Sequence, residues 1–125
     1  MNLFRYAIPM MRENNYGRII CISSILALNP IHGTGVYSAC KSYIDNIIRT
    51  CSMENSKYGI TCNSIQLGYF NGGMIDKVDK KFITTIVNNI PLKRFVKPQE
   101  IVNTINFIIN TEYLTGSNIK LSGGL

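Results

Sequence analysis

The 125 residues contain no tryptophan, one histidine and four prolines. With His32 alone, and with Cys21, Cys40, Cys51 and Cys62 nowhere in C-x-x-C spacing, no metal-ligand pattern exists and no metal is expected. The same spacing argues against a disulfide framework, so the cysteines read as small core residues and the expected compartment is a reducing cytoplasm. Acidic residues are scarce: 7 against 13 Lys plus Arg, a net charge of +6. The cations are scattered apart from Lys77, Lys80 and Lys81, then Lys93, Arg94 and Lys97. Phe95 is the single aromatic residue inside these clusters, too little to make an aromatic-basic interleaving, so a solvated helix face is preferred to a nucleic-acid partner. The opening apolar stretch is broken by Arg5 and Arg12 and followed by no small-residue cleavage site. It is expected to be a buried helix, not a signal peptide or membrane span. No repeat, low-complexity tract or linker is visible.

What is present fits one α/β core. Hydrophobic residues make up 46% and charged residues 16%, a globular balance in a chain too short for two domains. Residues 2–14 have a helical pattern that stops at Asn14-Asn15-Tyr16-Gly17. Residues 18–23 form a continuous apolar run suited to a parallel strand. Positions 36, 39, 40, 43, 44, 47, 48 and 51 are apolar at i, i+3, i+4 spacing, which predicts a long helix ending before Gly59. A strand is expected over 60–66, a looser helix over 75–89, a helix over 98–110 started by Pro98 and Glu100, and a strand over 118–121. About three strands and four helices result. The first strand should present an open apolar edge unless something upstream or another chain pairs with it.

The chemistry-bearing residues are Tyr37 and Lys41, with Ser24 thirteen positions upstream of Tyr37. Side chains at i and i+4 share a helix face, so Lys41 is expected beside Tyr37. A phenol ordinarily titrates at about pH 10. A neighbouring ammonium favours the phenolate, which suits proton exchange with a carbonyl or alcohol. Ser24 ends the 18–23 strand and is placed to hold the substrate oxygen by a hydrogen bond. Ser23 is the alternative hydroxyl, but the spacing to Tyr37 favours Ser24. His32, in the loop between them, is read as a solvated or packing residue. Asn63 is read as a strand amide that bonds nearby backbone. Tyr69 and Phe70 are expected at the mouth of the pocket or packed beneath its lid.

This arrangement resembles the short-chain dehydrogenase/reductase family, and specifically its C-terminal catalytic half. The resemblance rests on Ile22-Ser23-Ser24, on Tyr37-Ser38-Ala39-Cys40-Lys41, on Gly59 to Gly68, and on Tyr113 to Gly124. The four motifs stand in the family's order and cover nearly all of the chain, with an overall similarity to 3-oxoacyl-carrier-protein reductases. The resemblance implies one partial domain over 1–125: the C-terminal half of a Rossmann-type doubly wound parallel sheet. It implies an NADP- or NAD-dependent oxidoreductase in which Tyr37 is the acid, Lys41 supports it and Ser24 fixes the carbonyl. Tyr37, Lys41 and Gly68 are the implied contacts to the cofactor. A carbonyl or alcohol substrate is implied, with a carrier-bound acyl group among the candidates for the basic clusters. The family's glycine-rich turn for the pyrophosphate has no counterpart here, nor does its catalytic Asn, for which Asn2 is out of register. Leu67 replaces the family's Pro before Gly68, and Gly72 replaces a Thr that touches the nicotinamide end. The chain alone is therefore expected to lack cofactor binding and activity. A non-catalytic module that pairs with copies of itself or with a full-length relative, through the helices at 2–14 and 36–57, is the alternative.

Overall fold

The structure, a computed structural model, describes residues 2–72 and 79–125. Its elements follow in the order α1 (Asn2–Glu13), β1 (Gly17–Ser24), α2 (Gly35–Asn55), β2 (Ile60–Leu67), α3 (Lys80–Asn89), α4 (Pro98–Asn110) and β3 (Asn118–Leu121). The three strands form a parallel sheet in the order β1-β2-β3. Three parallel strands with four helices match the expected part of a Rossmann-type fold.

The register sets where a site can form. Ser24 lies opposite Leu67, and Leu67 lies opposite Leu121, so all three strands end at one level. In sheets of this kind ligands sit beyond the carboxyl ends of the strands. β2 is central and buried along all but its last residue, as a strand covered on both faces should be. On one face Ile19, Ile48, Cys51, Ile60 and Cys62 form the core. Phe4, Ile8 and Met11, at i, i+4 and i+7 of α1, pack against it. Arg18 reaches the other face, where its guanidinium donates to the Ile109 carbonyl of α4 at 3.2 Å. Gly59 turns the chain from α2 into β2 at φ +68°, and a Cβ there would lie 2.5 Å from the Asn15 carbonyl oxygen. Only glycine fits that corner without backbone movement.

The 98–110 helix and the 118–121 strand coincide with expectation, and β1 and β2 extend it by a residue or two. α2 ends at Asn55, with a single 3₁₀ turn over Ser56–Tyr58 before Gly59. The expected 75–89 helix is present over Lys80–Asn89, with Asp79 accepting from the Lys81 N–H at 3.0 Å as its cap. Residues 75–78 of that expectation, and Lys77 of the basic cluster, lie outside the described residues.

Two expectations are corrected. α1 is not a buried helix: only its Phe4, Ile8 and Met11 stripe packs on the core, and none of its described residues 3–13 is fully buried. Cys40 is exposed, not a core residue, and Cys21 is only half-buried. α2 turns a different stripe inward: its buried residues are Ser38, Asp45, Ile48, Cys51, Ser52 and Asn55. Val36 and Tyr43 of the apolar stripe face outward at 84% and 52% exposure. Periodicity identified the helix, but the face that meets β2 is the more polar one.

The start of α4 is held by charge. Arg94 donates two hydrogen bonds to Glu100, at 2.6 and 2.8 Å, and the Lys97 N–H donates a third at 2.7 Å. These bonds, the Arg94 pair first, lower the Glu100 carboxyl from 4.5 to about 2. A carboxyl lowered on folding stabilises the fold above its unfolded value, and that contribution fades as pH falls from 4.5 towards 2. Glu100→Gln is expected to remove this part of the acid dependence, read as a flatter urea midpoint between those pH values. An unchanged acid limb would refute it.

Candidate active site

β1 delivers Ser24 to the carboxyl edge of the sheet, and the chain turns at once through a 3₁₀ turn at Ile25–Ala27. Ser24 caps that turn: its Oγ accepts the Leu26 N–H at 3.2 Å. A hydroxyl that accepts there keeps its own proton to donate elsewhere. Ser23 is committed differently, donating from Oγ to the Lys41 carbonyl of α2 at 3.2 Å. Of the two hydroxyls, Ser24 is the one left with a free donor by these bonds.

The loop between them closes through Thr34, whose Oγ1 donates to the Ile31 carbonyl at 2.7 Å and meets the Ser38 hydroxyl at 3.1 Å. α2 then begins, with Tyr37 in its first turn and Lys41 one turn later. A cavity of about 390 Å³ opens here, and Ser24, Tyr37, Lys41 and Gly68 all line it. Its remaining wall is largely apolar, from Ile25, Leu26, Leu67, Tyr69 and Phe70. His32 is exposed and is not part of that lining.

Lys41 and Tyr37 do lie together, with the ammonium 5.7 Å from the phenol ring centroid. The ammonium is also tethered: Nζ donates to the Ile22 carbonyl of β1 at 2.9 Å. Spacing along the sequence points to the pairing but not to this tether, which crosses from α2 to β1.

Gly68 follows β2 and donates its N–H to the Leu121 carbonyl at 2.8 Å. A Cβ there would lie 2.9 Å from the Ser122 Cα. The close approach that demands glycine is thus to the backbone after β3, on the wall of the same cavity. Leu67, unlike a proline, stays in the ladder and pairs on both sides.

Behind the site stands a polar network that the sequence reading missed. Asp45, two turns after Tyr37, accepts from Ser64 Oγ at 2.7 Å and from Gln66 Nε2 at 2.8 Å. All three residues are buried. They bolt α2 to the end of β2 that leads into Gly68. The available signal was a carboxylate inside an apolar helix and two polar residues, spaced i and i+2, on an apolar strand. Asn63 is wholly buried; its amide donates to the Leu114 carbonyl at 2.8 Å and its oxygen accepts the Ser117 N–H at 3.1 Å. That is the backbone-bonding role expected of it.

Three of the four thiols are held in the protonated form by their surroundings. Burial pushes Cys21 and Cys51 up, and raises Cys62 to about 12, with Cys51 and Cys21 adding to it. Among the described residues no group of three or more His, Cys, Asp or Glu side chains could hold a metal ion, and no helix is long and apolar enough to cross a membrane.

A sequence profile described as enoyl-(acyl carrier protein) reductase matches residues 1–125. The chain belongs to the short-chain dehydrogenase/reductase family. Among its relatives in that family, a 3-oxoacyl-(acyl-carrier-protein) reductase of Rickettsia felis is 35% identical over 98% of this chain and 52% of its own length. An acetoacetyl-CoA reductase of Allochromatium vinosum is 32% identical over 99% and 51%. A 7alpha-hydroxysteroid dehydrogenase of Paraclostridium sordellii is 32% identical over 98% and 47%. A crystal structure of a protein assigned as a betaketoacyl-ACP reductase superimposes with a TM-score of 0.85 at 27% identity, over 98% of this chain and 52% of that one. The chain therefore spans about half the length of the curated short-chain reductases it matches.

Proposed function

We propose that this chain is the catalytic half of an NAD(P)-dependent short-chain reductase that converts a carbonyl to an alcohol. The observation that carries the reading is the convergence of Ser24, Tyr37 and Lys41 on one largely apolar cavity at the carboxyl ends of the strands. A substrate carbonyl in that cavity takes a hydrogen bond from Ser24 Oγ, whose proton is not spent on the protein. Tyr37 Oη hands its proton to the same oxygen. The Lys41 ammonium stabilises the negative charge left on the phenol, in a pocket whose apolar wall strengthens that interaction. When bound, a reduced nicotinamide supplies the hydride for the carbonyl carbon.

The residues fit the reacting end of that cofactor. Tyr37 and Lys41 offer donors for a ribose, and Gly68 leaves the cavity floor without a side chain. The adenosine and pyrophosphate end has no counterpart, since the sequence contains no G-x-x-x-G-x-G turn. Purified residues 1–125 are accordingly expected to show no saturable NADPH or NADH binding at micromolar concentration. Joining the chain to the half of the Rickettsia felis relative that it does not match should restore binding. Micromolar affinity in the unjoined chain, measured by nicotinamide fluorescence, would overturn this division of labour.

For substrate, the relatives named for acyl-carrier-protein and CoA thioesters support a 3-oxoacyl thioester, with Lys81, Lys93 and Lys97 available to an acidic carrier. The fold alone does not fix that choice, and a cytoplasmic setting belongs to the same proposal. A second reading, an association module with or without catalysis, is favoured by the outward apolar stripe of α2. Leu3, Tyr6 and Met10 of α1 are likewise exposed, at 75%, 74% and 64%. Between the two helices runs an open groove of about 620 Å³ floored by Phe4, Ile8, Ile47 and Cys51. Copies of the chain, or a full-length relative, would cover that face.

A further inference from the structure

A buried carboxylate is a costly way to hold a helix to a sheet, and Asp45 has no cation beside it. The ion pairs among the described residues join Arg18 to Glu112 and Arg94 to Glu100. Apolar side chains packed at 45, 64 and 66 would hold α2 to β2 at least as well. They would not fix one position of the helix along the strand. The Asp45 carboxylate does, because its two oxygens take donors from two different residues, Ser64 Oγ at 2.7 Å and Gln66 Nε2 at 2.8 Å. Those residues are neighbours on one face of β2, about 6.6 Å apart along the strand. A slide of α2 along β2 shortens one bond only by stretching the other, and a turn about its axis strains both.

We propose that Asp45 is a positioning residue, whose two bonds set the spacing between Tyr37 and Lys41 on α2 and Gly68 after β2. Tyr37, Lys41 and Asp45 follow one another at i, i+4 and i+8, on one side of α2. Gln66 stands two residues before Gly68, whose N–H bonds the Leu121 carbonyl at the cavity wall. A second bond, from Ser23 Oγ to the Lys41 carbonyl, ties the same stretch of α2 to β1. The helix that carries the phenol and the ammonium is thereby fixed against both strands that end at the cavity. The spacing rests on these bonds alone; its effect on turnover rests on the reductase reading. Asparagine at position 45 keeps the arrangement without the charge. Its oxygen accepts from Gln66, its amide group donates to Ser64, and the Ser64 hydroxyl turns its one proton to Asn118 Oδ1, 2.9 Å away. Alanine loses both bonds.

Amide hydrogen exchange, resolved by NMR on residues 1–125, reads the spacing without any catalytic signal. Asp45→Ala is expected to speed exchange at Gly68 at least about tenfold more than at Gly116, whose N–H bonds the Cys62 carbonyl nearer the other end of β2. Lost stability alone speeds both alike. The paired change Asp45→Leu with Gln66→Leu, which puts apolar packing in place of the bonds and keeps the chain folded, should show the same selectivity. Asp45→Asn should leave both amides within about threefold of the parent. In the chain joined to the unmatched half of the Rickettsia felis relative, Asp45→Ala should lower kcat about 10- to 100-fold while the KM for the ketone moves less than about threefold. Asp45→Asn should keep kcat within about threefold of the parent. Equal acceleration at Gly68 and Gly116 in both bond-breaking variants overturns the proposal. So does full kcat in Asp45→Ala, or an Asp45→Asn protein as impaired as Asp45→Ala. A joined parent that folds, binds cofactor and reduces nothing sinks the reductase reading instead, and the exchange result still decides the spacing.

Discussion

Tyr37→Phe, in the chain joined to the unmatched half of the Rickettsia felis relative, is expected to lower kcat by about 10²- to 10⁴-fold, the usual contribution of a positioned proton donor. KM should move little. The ring remains, the cavity wall keeps its apolar character, and Ser24 still offers its proton to the carbonyl. A loss confined to kcat marks an interaction made as charge develops on the oxygen rather than one that holds the substrate. The alternative reading, in which the helices are retained for association, predicts the opposite split. In that case Tyr37→Phe leaves any residual turnover unchanged. Steady-state kinetics under saturating cofactor separates the two.

Asp45→Ala is expected to destabilise the 125-residue chain by about 2–4 kcal/mol, a large share of the roughly 5–15 kcal/mol that holds a domain together. Two opposing effects compete. Burying a carboxylate without a cation costs solvation, so its removal relieves something. Yet removal also leaves the Gln66 amide group buried with its acceptor gone, and opens a void between α2 and β2. Ser64 escapes more cheaply, because Asn118 Oδ1 lies 2.9 Å from its hydroxyl. The orphaned amide and the void decide the sign. Asp45→Asn keeps an acceptor at the same place and should cost about half as much or less. The measurement is the urea midpoint at constant slope. A shift within about 0.5 kcal/mol of zero for Asp45→Ala would show that the network carries no stability. The variant also bears on the site, since α2 holds Tyr37 and Lys41 and β2 runs into Gly68.

Much of this architecture was legible because local rules and tertiary packing agree. Pro98 and Glu100 mark the first turn of α4, and the structure shows why: Glu100 collects the Lys97 N–H and both Arg94 bonds. The apolar run Ile19 to Ile22, between Arg18 and Ser23, reads as a parallel strand and is one. Ser24, Tyr37, Lys41 and Gly68 were singled out from spacing and resemblance, and the fold brings them to one cavity. Other features depend on what lies opposite each residue, which periodicity does not encode. The stripe at 36, 40 and 43 predicted a helix, but Asp45 and Ser52 look inward while Val36 and Cys40 look out. Asp45, Ser64 and Gln66 break the local pattern singly, and only register shows that they meet. The tether of Lys41 to the Ile22 carbonyl joins α2 to β1, a contact across the fold that the residues around position 41 do not encode.

The measurement closest to the central claim is turnover itself. The joined protein, supplied with a reduced nicotinamide and acetoacetyl-CoA, is expected to consume the cofactor and release the 3-hydroxyacyl thioester in equal amounts. A folded, cofactor-binding joined protein that reduces neither this thioester nor simpler ketones would contradict the assignment of Ser24, Tyr37 and Lys41 as a carbonyl-reducing site.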